Sequence, residues 1–406
     1  MSRLRTTAGL RSLRRGLVAA ALVVGPAVVV VAQAQPAGAA TFTVDTTADG
    51  APQSTDCTTP VAGSCSLRDA VAAASASAGP HTISLAAGAT YQLSYCDATT
   101  GRALRVNVGG SSLTIEGNGA TIEQTCPQSL DNGEIIMVND GAITVRDVTL
   151  TGADSTDGVG GIQAGNDNAS VTADHVTITG NSASFQPGIG TAGALTVIDS
   201  TIAGNTSTAP NDPAVSTFND TMLIVNSTIA DNVGGGIHSG VAGGATLVYS
   251  TISGNSAATD ANVDVPAARF TSFGSVVTDP QGGGVNCGSA GTSDGYNYES
   301  GGDTCGFSAA TDVADGASPQ LGALADNGGP TQTELPAPTS PLLDRIPAAN
   351  CQDAPAAGVT TDQRGITRPQ GTGCDVGAVE VEVVPVTPVT PVTPATPITI
   401  APSFTG

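Results

Sequence analysis

Aliphatic and polar residues alternate in a five-residue phrase that recurs five times in the middle of the chain. The copies read TLTGA at 149–153, TITGN at 177–181, TIAGN at 201–205, TIADN at 228–232 and TISGN at 251–255. Their first threonines are 28, 24, 27 and 23 residues apart. A repeat of roughly 20 to 50 residues is typical of a solenoid, in which each unit buries its apolar face against the next one.

Each period contains about three short strands separated by glycine, asparagine and aspartate. Besides the phrase, a period has a glycine-rich step with one aliphatic residue, such as Gly160–Ile162, and an alternating strand, such as Leu195–Ile198. The regular leucines of leucine-rich repeats and the long apolar stripes of helical repeats are lacking. Three strands per coil, stacked as parallel sheets, predict an all-β protein with a parallel β-helix fold.

The alternation inside the phrase separates its residues into two columns. The aliphatic residues at the second position are expected in the core, and the leading threonines are expected to point outward. The core column comprises Leu150, Ile178, Ile202, Ile229 and Ile252, and the outward column comprises Thr149, Thr177, Thr201, Thr228 and Thr251. Ice-binding β-helices have such threonine columns, but the second column needed for a flat lattice contains Ala203 and Ala230, so ice binding is disfavoured.

The asparagine at the fifth position of the phrase is expected in a turn. Asparagine tolerates left-handed backbone angles, and it can hydrogen-bond to the same residue one coil away. A turn ladder is therefore predicted at Asn181, Asn205, Asn232 and Asn255, and Ala153 interrupts it in the first copy.

Both ends of a β-helix expose unpaired strand edges that need a cover. At the N-terminal side, Ser66 with Asp69 three residues later predicts a helix start, and Leu67, Ala70, Val71 and Ala74 form one apolar face. This short helix is expected to cap the first coil. Towards the C-terminus, many prolines and glycines predict a loop-rich cap, followed by Val-Thr-Pro triplets that favour an extended spacer.

The eight cysteines occur in sequence-local pairs outside the regular repeats. An even number in an exported chain indicates disulfides, and proximity along the chain favours neighbours as partners. The expected pairs are Cys57 with Cys65, Cys96 with Cys126, Cys287 with Cys305, and Cys351 with Cys374.

The first forty residues have the pattern of a secretory signal peptide. Five arginines precede an apolar run at 17–32, and small residues at 34–40 offer cleavage sites. Arg14 and Arg15 leave twin-arginine export open beside the general secretory route. Without this segment, eight arginines face 35 acidic residues, a net charge of −27. Such a surface repels nucleic acid, anionic lipid and polyuronates, and the chain after residue 40 has no apolar stretch that could span a membrane.

Side chains with catalytic potential are few. Of the three histidines, His175 occupies the turn position held elsewhere by aspartate, asparagine or tyrosine, although Asp174-His175 also resembles a pectate lyase strand motif. His238 lies in a Gly-Ile-His-Ser-Gly segment that resembles the Gly-His-Gly of polygalacturonases, but no Asp-Asp pair supplies their acids. Arg364 and Arg368 are expected to form hydrogen bonds within the C-terminal cap.

No catalytic, cofactor-binding or metal-binding residue is therefore assigned. Calcium is kept only as a weak option, because turns such as 131–133 and 166–168 are rich in Asp and Asn whether or not they bind an ion.

Two motifs resemble known families. Cys65-Ser-Leu-Arg-Asp-Ala-Val71 resembles the CSLREA-type N-terminal domain of exported bacterial β-helix proteins, with Asp69 where that family has Glu. The segments at 325–333, 340–344, 362–365, 368–369 and 374–378 resemble the choice-of-anchor Q domain. The repeats are similar to those of polymorphic outer-membrane proteins. The resemblance covers about residues 41 to 380 and implies a single-stranded, right-handed β-helix at the cell surface, with no catalytic residues.

These observations predict a secreted or cell-surface β-helix protein that serves the bacterial envelope as a structural, adhesive or binding module. Its surface ligand is a carbohydrate or a protein, and the alternative is a β-helix polysaccharide lyase or glycoside hydrolase. The expected organisation is a signal peptide at 1–40, a strand, capping helix and first coils at 41–110, β-helix repeats at 111–300, a choice-of-anchor Q-like cap at 301–380 and a Pro/Thr-rich tail at 381–406.

Overall fold

The computed structural model describes residues 38–59, 61–96, 103–126 and 133–382. The predicted signal peptide, except for its last residues, and nearly all of the Pro/Thr-rich tail lie outside these residues. The described chain is an all-β, right-handed parallel β-helix with one α-helix, as the sequence predicts. Among the described residues, no helix is long and apolar enough to cross a membrane.

Most strands are short, and most of them pair in parallel with the equivalent strand of the next coil. In chain order the elements are β1 (Ala40–Thr43), α1 (Leu67–Ser75), β2 (His81–Ser84), β3 (Thr90–Leu93), β4 (Leu104–Gln124), β5 (Ile136–Thr151), β6 (Asp154–Ser155), β7 (Ile162–Ala164), β8 (Ser170–Thr179), β9 (Ser182–Ala183), β10 (Ile189–Thr191), β11 (Leu195–Ile198), β12 (Thr201–Ala203), β13 (Thr206–Ser207), β14 (Val215–Thr217), β15 (Thr221–Val225), β16 (Thr228–Ala230), β17 (Ile237–Ser239), β18 (Gly244–Val248), β19 (Thr251–Ser253), β20 (Asp260–Asp264), a 3-10 turn (Ala267–Arg269), β21 (Phe270–Phe273), β22 (Val276–Thr278), β23 (Val285–Cys287), β24 (Thr292–Gly295), β25 (Tyr298–Ser300), β26 (Val313–Gly316), β27 (Ile346–Pro347) and β28 (Gly373–Cys374).

Each complete coil passes through three parallel sheets, which we name face 1, face 2 and face 3. Face 1 contains residues 104–106 of β4, residues 136–138 of β5 and strands β7, β10, β14, β17, β20 and β23. Face 2 contains β1, β2, β11, β15, β18, β21, β24, the middle parts of β4 and β5 and the first part of β8. Face 3 contains β3, β12, β16, β19, β22, β25, β26 and the last parts of β4, β5 and β8. The predicted three strands per coil are confirmed.

The predicted core column is confirmed. Ile202 pairs with Ile178 on one side and with Ile229 on the other, and all five aliphatic residues of the phrase are fully buried. Burying an isoleucine side chain contributes roughly 1.5–3 kcal/mol, so stacked coils stabilise each other through this column.

The asparagine ladder is also confirmed, but its backbone differs from the expectation. The side-chain amide of Asn205 donates to Asn232 Oδ1 at 3.0 Å, and Asn181 donates in the same way to Asn205 Oδ1 at 3.0 Å. These asparagines are buried, and the left-handed angle belongs to the preceding residue, Gly204 (φ 64°) or Gly180 (φ 66°). The asparagine amides thus satisfy buried polar groups, and the glycine makes the turn.

The leading threonines point away from the core, but three of them are not exposed. Thr201, Thr228 and Thr251 are only 1%, 0% and 3% exposed, because residues 318–382 pack against face 3. We name these residues the C-terminal segment. Gln363 from this segment accepts a hydrogen bond from Thr228 Oγ1 at 2.7 Å and donates to Thr201 Oγ1 at 2.8 Å. The expectation of an exposed threonine column is therefore wrong for these three coils.

A longer threonine column, which the recurring phrase does not reveal, runs along face 2. Consecutive coils contribute Thr41, Thr82, Thr114, Thr144, Thr172, Thr196, Leu223, Thr246, Thr271 and Thr292. None of these residues belongs to the phrase. Threonine is well suited to an exposed strand position, so this column is explained by strand stability alone.

The N-terminal helix and the cysteine pairs are as predicted. Ser66 Oγ accepts a hydrogen bond from the backbone N–H of Asp69, and the Asp69 carboxylate accepts one from the backbone N–H of Ser66, so aspartate completes the capping box. The four predicted disulfides are all present. At the other end, Phe307 packs on Phe270 with ring centroids 6.1 Å apart and so contributes to the core.

Candidate functional site

A cleft of about 810 Å³ lies between the C-terminal segment and the turns that follow the strands of face 3. Its volume is in the range of small-molecule and cofactor sites, roughly 300–1,000 Å³. We name it the acidic cleft, because three carboxylates line it: Asp231, Asp279 and Glu334.

Asp231 and Asp279 occupy equivalent turns, two coils apart. Each follows the face 3 strand of its coil and adopts a left-handed backbone angle, with φ of 55° and 53°, which aspartate tolerates better than most residues. The coil between them has Gly254 at this position. A Cβ on Gly254 would lie 2.4 Å from Asp231 Oδ1, so the glycine provides the space that the carboxylate occupies.

Glu334 lies opposite, on the C-terminal segment, and is only 9% exposed. Ser253 Oγ donates a hydrogen bond of 2.5 Å to its Oε2. Burial raises the pKa of Glu334 to about 7, and the negative charges of Asp231 and Asp279 act in the same direction. Burial also raises the pKa of Asp231, with Asp279 as a second cause. The cleft therefore holds a partly protonated carboxyl group at neutral pH.

The remaining polar groups of the acidic cleft are mostly hydroxyls. Ser253, Thr278 and Ser300 contribute side chains, and the hydroxyls of Thr278 and Ser300 are 2.5 Å apart. No lysine, arginine or histidine lines the cleft among the described residues. An anionic ligand would thus lack a counter-charge, whereas an uncharged ligand rich in hydroxyl groups could exchange hydrogen bonds with carboxylates and hydroxyls.

A second cluster of ionisable groups lies at the corner between face 2 and face 3. His175 Nδ1 donates to Asp174 Oδ1 at 2.6 Å, and its Nε2 is 3.7 Å from Asp199 Oδ2. Arg146 Nε donates to Asp174 Oδ2 at 2.8 Å. The hydrogen bond with Asp174 raises the pKa of His175, and burial raises the pKa of Asp199 to about 6.

One donor atom from each of Asp174, His175 and Asp199 lies within 4.8 Å of the others, so the three residues could hold a metal ion. Without an ion, Arg146 pairs with Asp174 and Glu116, and a protonated His175 contacts Asp174 and Asp199. The interpretation of His175 as a turn residue agrees with its left-handed φ of 56°, which recurs at Asp147 and Asp199 with φ of 49° in both.

The other residues considered from the sequence lie apart from the acidic cleft. His238 Nδ1 is 2.7 Å from Asp264 Oδ2 on face 1, and His81 Nε2 contacts the hydroxyl of Ser77 at 3.1 Å. Arg364 and Arg368 form ion pairs within the C-terminal segment, with Asp362 and Glu380. Residues 131 and 132 lie outside the described chain.

Sequence reasoning did not bring the three carboxylates of the acidic cleft together. A signal exists for two of them: Asp231 stands where the four other copies of the phrase have glycine, and Asp279 follows Val276–Thr278 in the same register. Glu334 could not be placed, because the C-terminal segment has no periodicity that would align it with a coil.

Comparisons with known proteins give one structural likeness. No protein-family model matches the chain, and no curated protein matches it. A crystal structure of pectate lyase Pel9A superposes with a TM-score of 0.46 at 16% sequence identity, covering 84% of this chain and 96% of that one. At this level the likeness carries no functional information.

Proposed function

We propose that the protein is an exported, glycan-binding β-helix protein of the bacterial envelope and that the acidic cleft holds an uncharged polysaccharide chain. The observation that carries the proposal is the set of carboxylates at Asp231, Asp279 and Glu334 in an open cleft that no cationic residue lines in the described part of the chain. Carboxylates accept hydrogen bonds from sugar hydroxyls, and the hydroxyls of Ser253 and Thr278 can both donate and accept. The negative charge disfavours polyuronates.

Export and membership in the two resembled families are part of the proposal. Four disulfides are typical of a protein in an oxidising compartment. The choice-of-anchor Q-like residues Gln363 and Arg368 connect the C-terminal segment to face 3, which gives these motif residues a physical role. The CSLREA-like Ser66 and Asp69 form the capping box of α1.

Glycoside hydrolysis in the same cleft is the second candidate. Glycosidases use one carboxylic acid to protonate the leaving oxygen and a second, ionised carboxylate as base or nucleophile. Glu334, with a pKa raised to about 7, is suited to the first role, and Asp231 or Asp279 is available for the second. The candidate rests on the raised pKa of Glu334 in a cleft that holds two further carboxyl groups.

Binding is tested with soluble neutral polysaccharides, namely a glucan, a xylan and a mannan, and with polygalacturonate as the anionic comparison. Titration calorimetry should detect at least one neutral polymer and no polygalacturonate. Asp231→Ala and Asp279→Ala should each weaken binding about tenfold, corresponding to ~1.4 kcal/mol. The matched control is Asp294→Asn, an exposed aspartate on face 2, which should bind like the parent protein. Failure of every neutral polymer, or equal binding by all variants, would refute the proposal.

The two candidates are separated by reducing-end release from whichever polymer binds. A hydrolase should release new reducing ends, and Glu334→Gln should lower the rate by about 100-fold or more while retaining affinity. If the protein is a binding module, the parent protein should bind the polymer without releasing new reducing ends, and Glu334→Gln should bind it with the same affinity. Release that persists in Glu334→Gln would exclude Glu334 as the acid.

A further inference from the structure

A second cleft, of about 280 Å³, opens on face 1 and combines aromatic rings with side-chain amides. Phe185 and Phe218, from loops beside neighbouring coils, line it and are 49% and 43% exposed. The other four described phenylalanines are buried. Single exposed apolar residues are common, but a pair of them in one cleft is not explained by core packing. We name this the aromatic cleft.

The amide of Gln186 adds an independent observation. Gln186 is only 5% exposed, lines the aromatic cleft, and its side chain has no hydrogen-bond partner among the described residues. The amide is not among the fully enclosed side-chain groups of the described residues that lack a partner, so it opens into the cleft and is available to a ligand in place of water. A ligand in the cleft would supply both a donor and an acceptor.

Local sequence holds this amide in place. Gly190 lies on face 1 between Gln163 and Ser216 of the adjacent coils. A Cβ on Gly190 would lie 2.8 Å from Gln186 Oε1, so the glycine leaves the space for the glutamine side chain. The backbone N–H of Phe185 bonds to Gly158 O at 3.2 Å, and that of Phe218 bonds to Thr191 O at 3.0 Å, which anchors both loops to the coils.

We propose that the aromatic cleft binds a pyranose ring of a neutral glycan, with Phe185 and Phe218 contacting its apolar faces and Gln186 hydrogen-bonding its hydroxyls. A pyranose presents C–H groups on its faces and hydroxyls at its edge, which matches aromatic side chains beside an amide that opens into the cleft. Asp157 is the only ionisable residue that lines the cleft in the described chain, so an anionic sugar finds no counter-charge. This site is separate from the acidic cleft, and either site can fail without the other.

Saturation-transfer NMR with neutral hexasaccharides of glucose, xylose and mannose tests the proposal. The chain has no tryptophan and few other aromatics, so phenylalanine signals can be followed on titration. Phe185→Ala and Phe218→Ala should each weaken binding about tenfold or more. Gln186→Leu keeps the size of the side chain but removes the amide, and it should also lose about tenfold.

Two control variants distinguish binding in the aromatic cleft from binding elsewhere on the protein. Leu223→Ala removes an exposed apolar residue on face 2, and Asp231→Ala weakens the acidic cleft; both should retain binding to the aromatic cleft. The thermal transition of each variant is measured alongside to show that the variant folds. A phenylalanine variant that fails to fold is replaced by Phe185→Leu or Phe218→Leu.

Three results would overturn the inference. One is the absence of saturable binding by all three hexasaccharides, and the second is unchanged affinity in both phenylalanine variants and in Gln186→Leu. The third is that an extended apolar peptide competes with the hexasaccharides and binds more tightly to Gln186→Leu than to the parent protein. That result would identify the cleft as a peptide-binding groove instead.

Discussion

At the scale of single residues, outward-pointing threonines on different faces of the β-helix differ in what covers them. Thr228 and Thr172 both point outward from a β-strand. Thr228 is fully buried and donates to Gln363 Oε1 at 2.7 Å, whereas Thr172 on face 2 is partly exposed. The same residue type is therefore a buried hydrogen-bond donor in one place and a solvated strand residue in the other.

This difference predicts a ranking of three substitutions in unfolding free energy. Ile229→Ala should cost about 2–5 kcal/mol, because it leaves a cavity in the core column. Thr228→Ala should cost about 1–3 kcal/mol, because the buried side-chain oxygen of Gln363 loses its donor. Thr172→Ala should change stability by no more than about 0.5 kcal/mol. Denaturant titration measures all three, and equal costs for the two threonine variants would contradict the packing of the C-terminal segment on face 3.

A pH dependence follows from Glu334. Its pKa is about 7 in the folded protein against 4.5 for an ordinary glutamate, so the folded state holds this proton more tightly than the unfolded state. Its stabilising contribution is complete below about pH 4.5 and is lost as the pH rises through about 7. The loss is about 3 kcal/mol. Asp199, with a pKa of about 6, acts in the same direction.

The corresponding measurement is the free energy of unfolding from pH 4 to 8 for the parent protein and for Glu334→Gln. Glutamine cannot ionise, so between about pH 4.5 and 7 the unfolding free energy of the variant should fall less steeply with pH than that of the parent protein. The difference in slope corresponds to roughly one proton. An identical pH profile for the two proteins would show that Glu334 ionises normally.

At the scale of the elements, the asparagine ladder connects coils through buried side chains. Asn205 Oδ1 accepts from the backbone N–H of Asn181 at 3.1 Å and from its amide at 3.0 Å. The Asn205 amide donates to Ile178 O at 2.9 Å and to Asn232 Oδ1 at 3.0 Å. One side chain thus satisfies polar groups of three coils, where water has no access.

Asn205→Ala should therefore destabilise the protein about as strongly as Ile229→Ala. Several buried groups lose a partner at once, and each costs roughly 1–3 kcal/mol. The first copy of the phrase provides the matched control: Ala153 occupies the ladder position, and its N–H already bonds to Asn181 Oδ1 at 2.9 Å. Ala153→Gly, which removes one methyl group and no ladder hydrogen bond, should cost only about 1 kcal/mol in comparison. A cost for Asn205→Ala below about 1 kcal/mol in denaturant titration would show that the ladder is dispensable.

The elements also show how far the sequence could be read. The coil period, the core column, the capping box and the four cysteine pairs are all encoded locally or by repetition, and they were predictable. The path of the C-terminal segment was not, because its contacts are long-range: Gln363 Nε2 reaches Thr201 across 162 residues. The acidic cleft depends on that path, so Glu334 could not be assigned from the sequence.

At the scale of the whole molecule, a buried cation fastens the C-terminal segment to the β-helix. Arg368 Nη1 pairs with Glu380 Oε2 at 3.1 Å, and both side chains are almost completely buried. The Arg368 guanidinium also lies 4.3 Å from the ring centroid of Tyr249, which follows β18 at the turn into face 3. A second Arg368 nitrogen reaches Asn226 Oδ1 at 3.4 Å. Arg368 thus connects the segment to two successive coils, in addition to the contacts of Gln363 and Glu334.

Arg368→Met should leave Glu380 buried and unpaired, and such a break costs about 3–5 kcal/mol. Because these contacts belong to the segment and to face 3, hydrogen exchange should rise mainly in residues 318–382, while coils such as 170–181 keep their protection. Arg368→Met combined with Glu380→Gln should recover part of the loss, since no unpaired charge remains. Arg269→Met, at an exposed arginine, serves as the control. If exchange in the early coils rises as much as in the segment, the β-helix cannot stand without its C-terminal cover, and the two unfold as one cooperative unit.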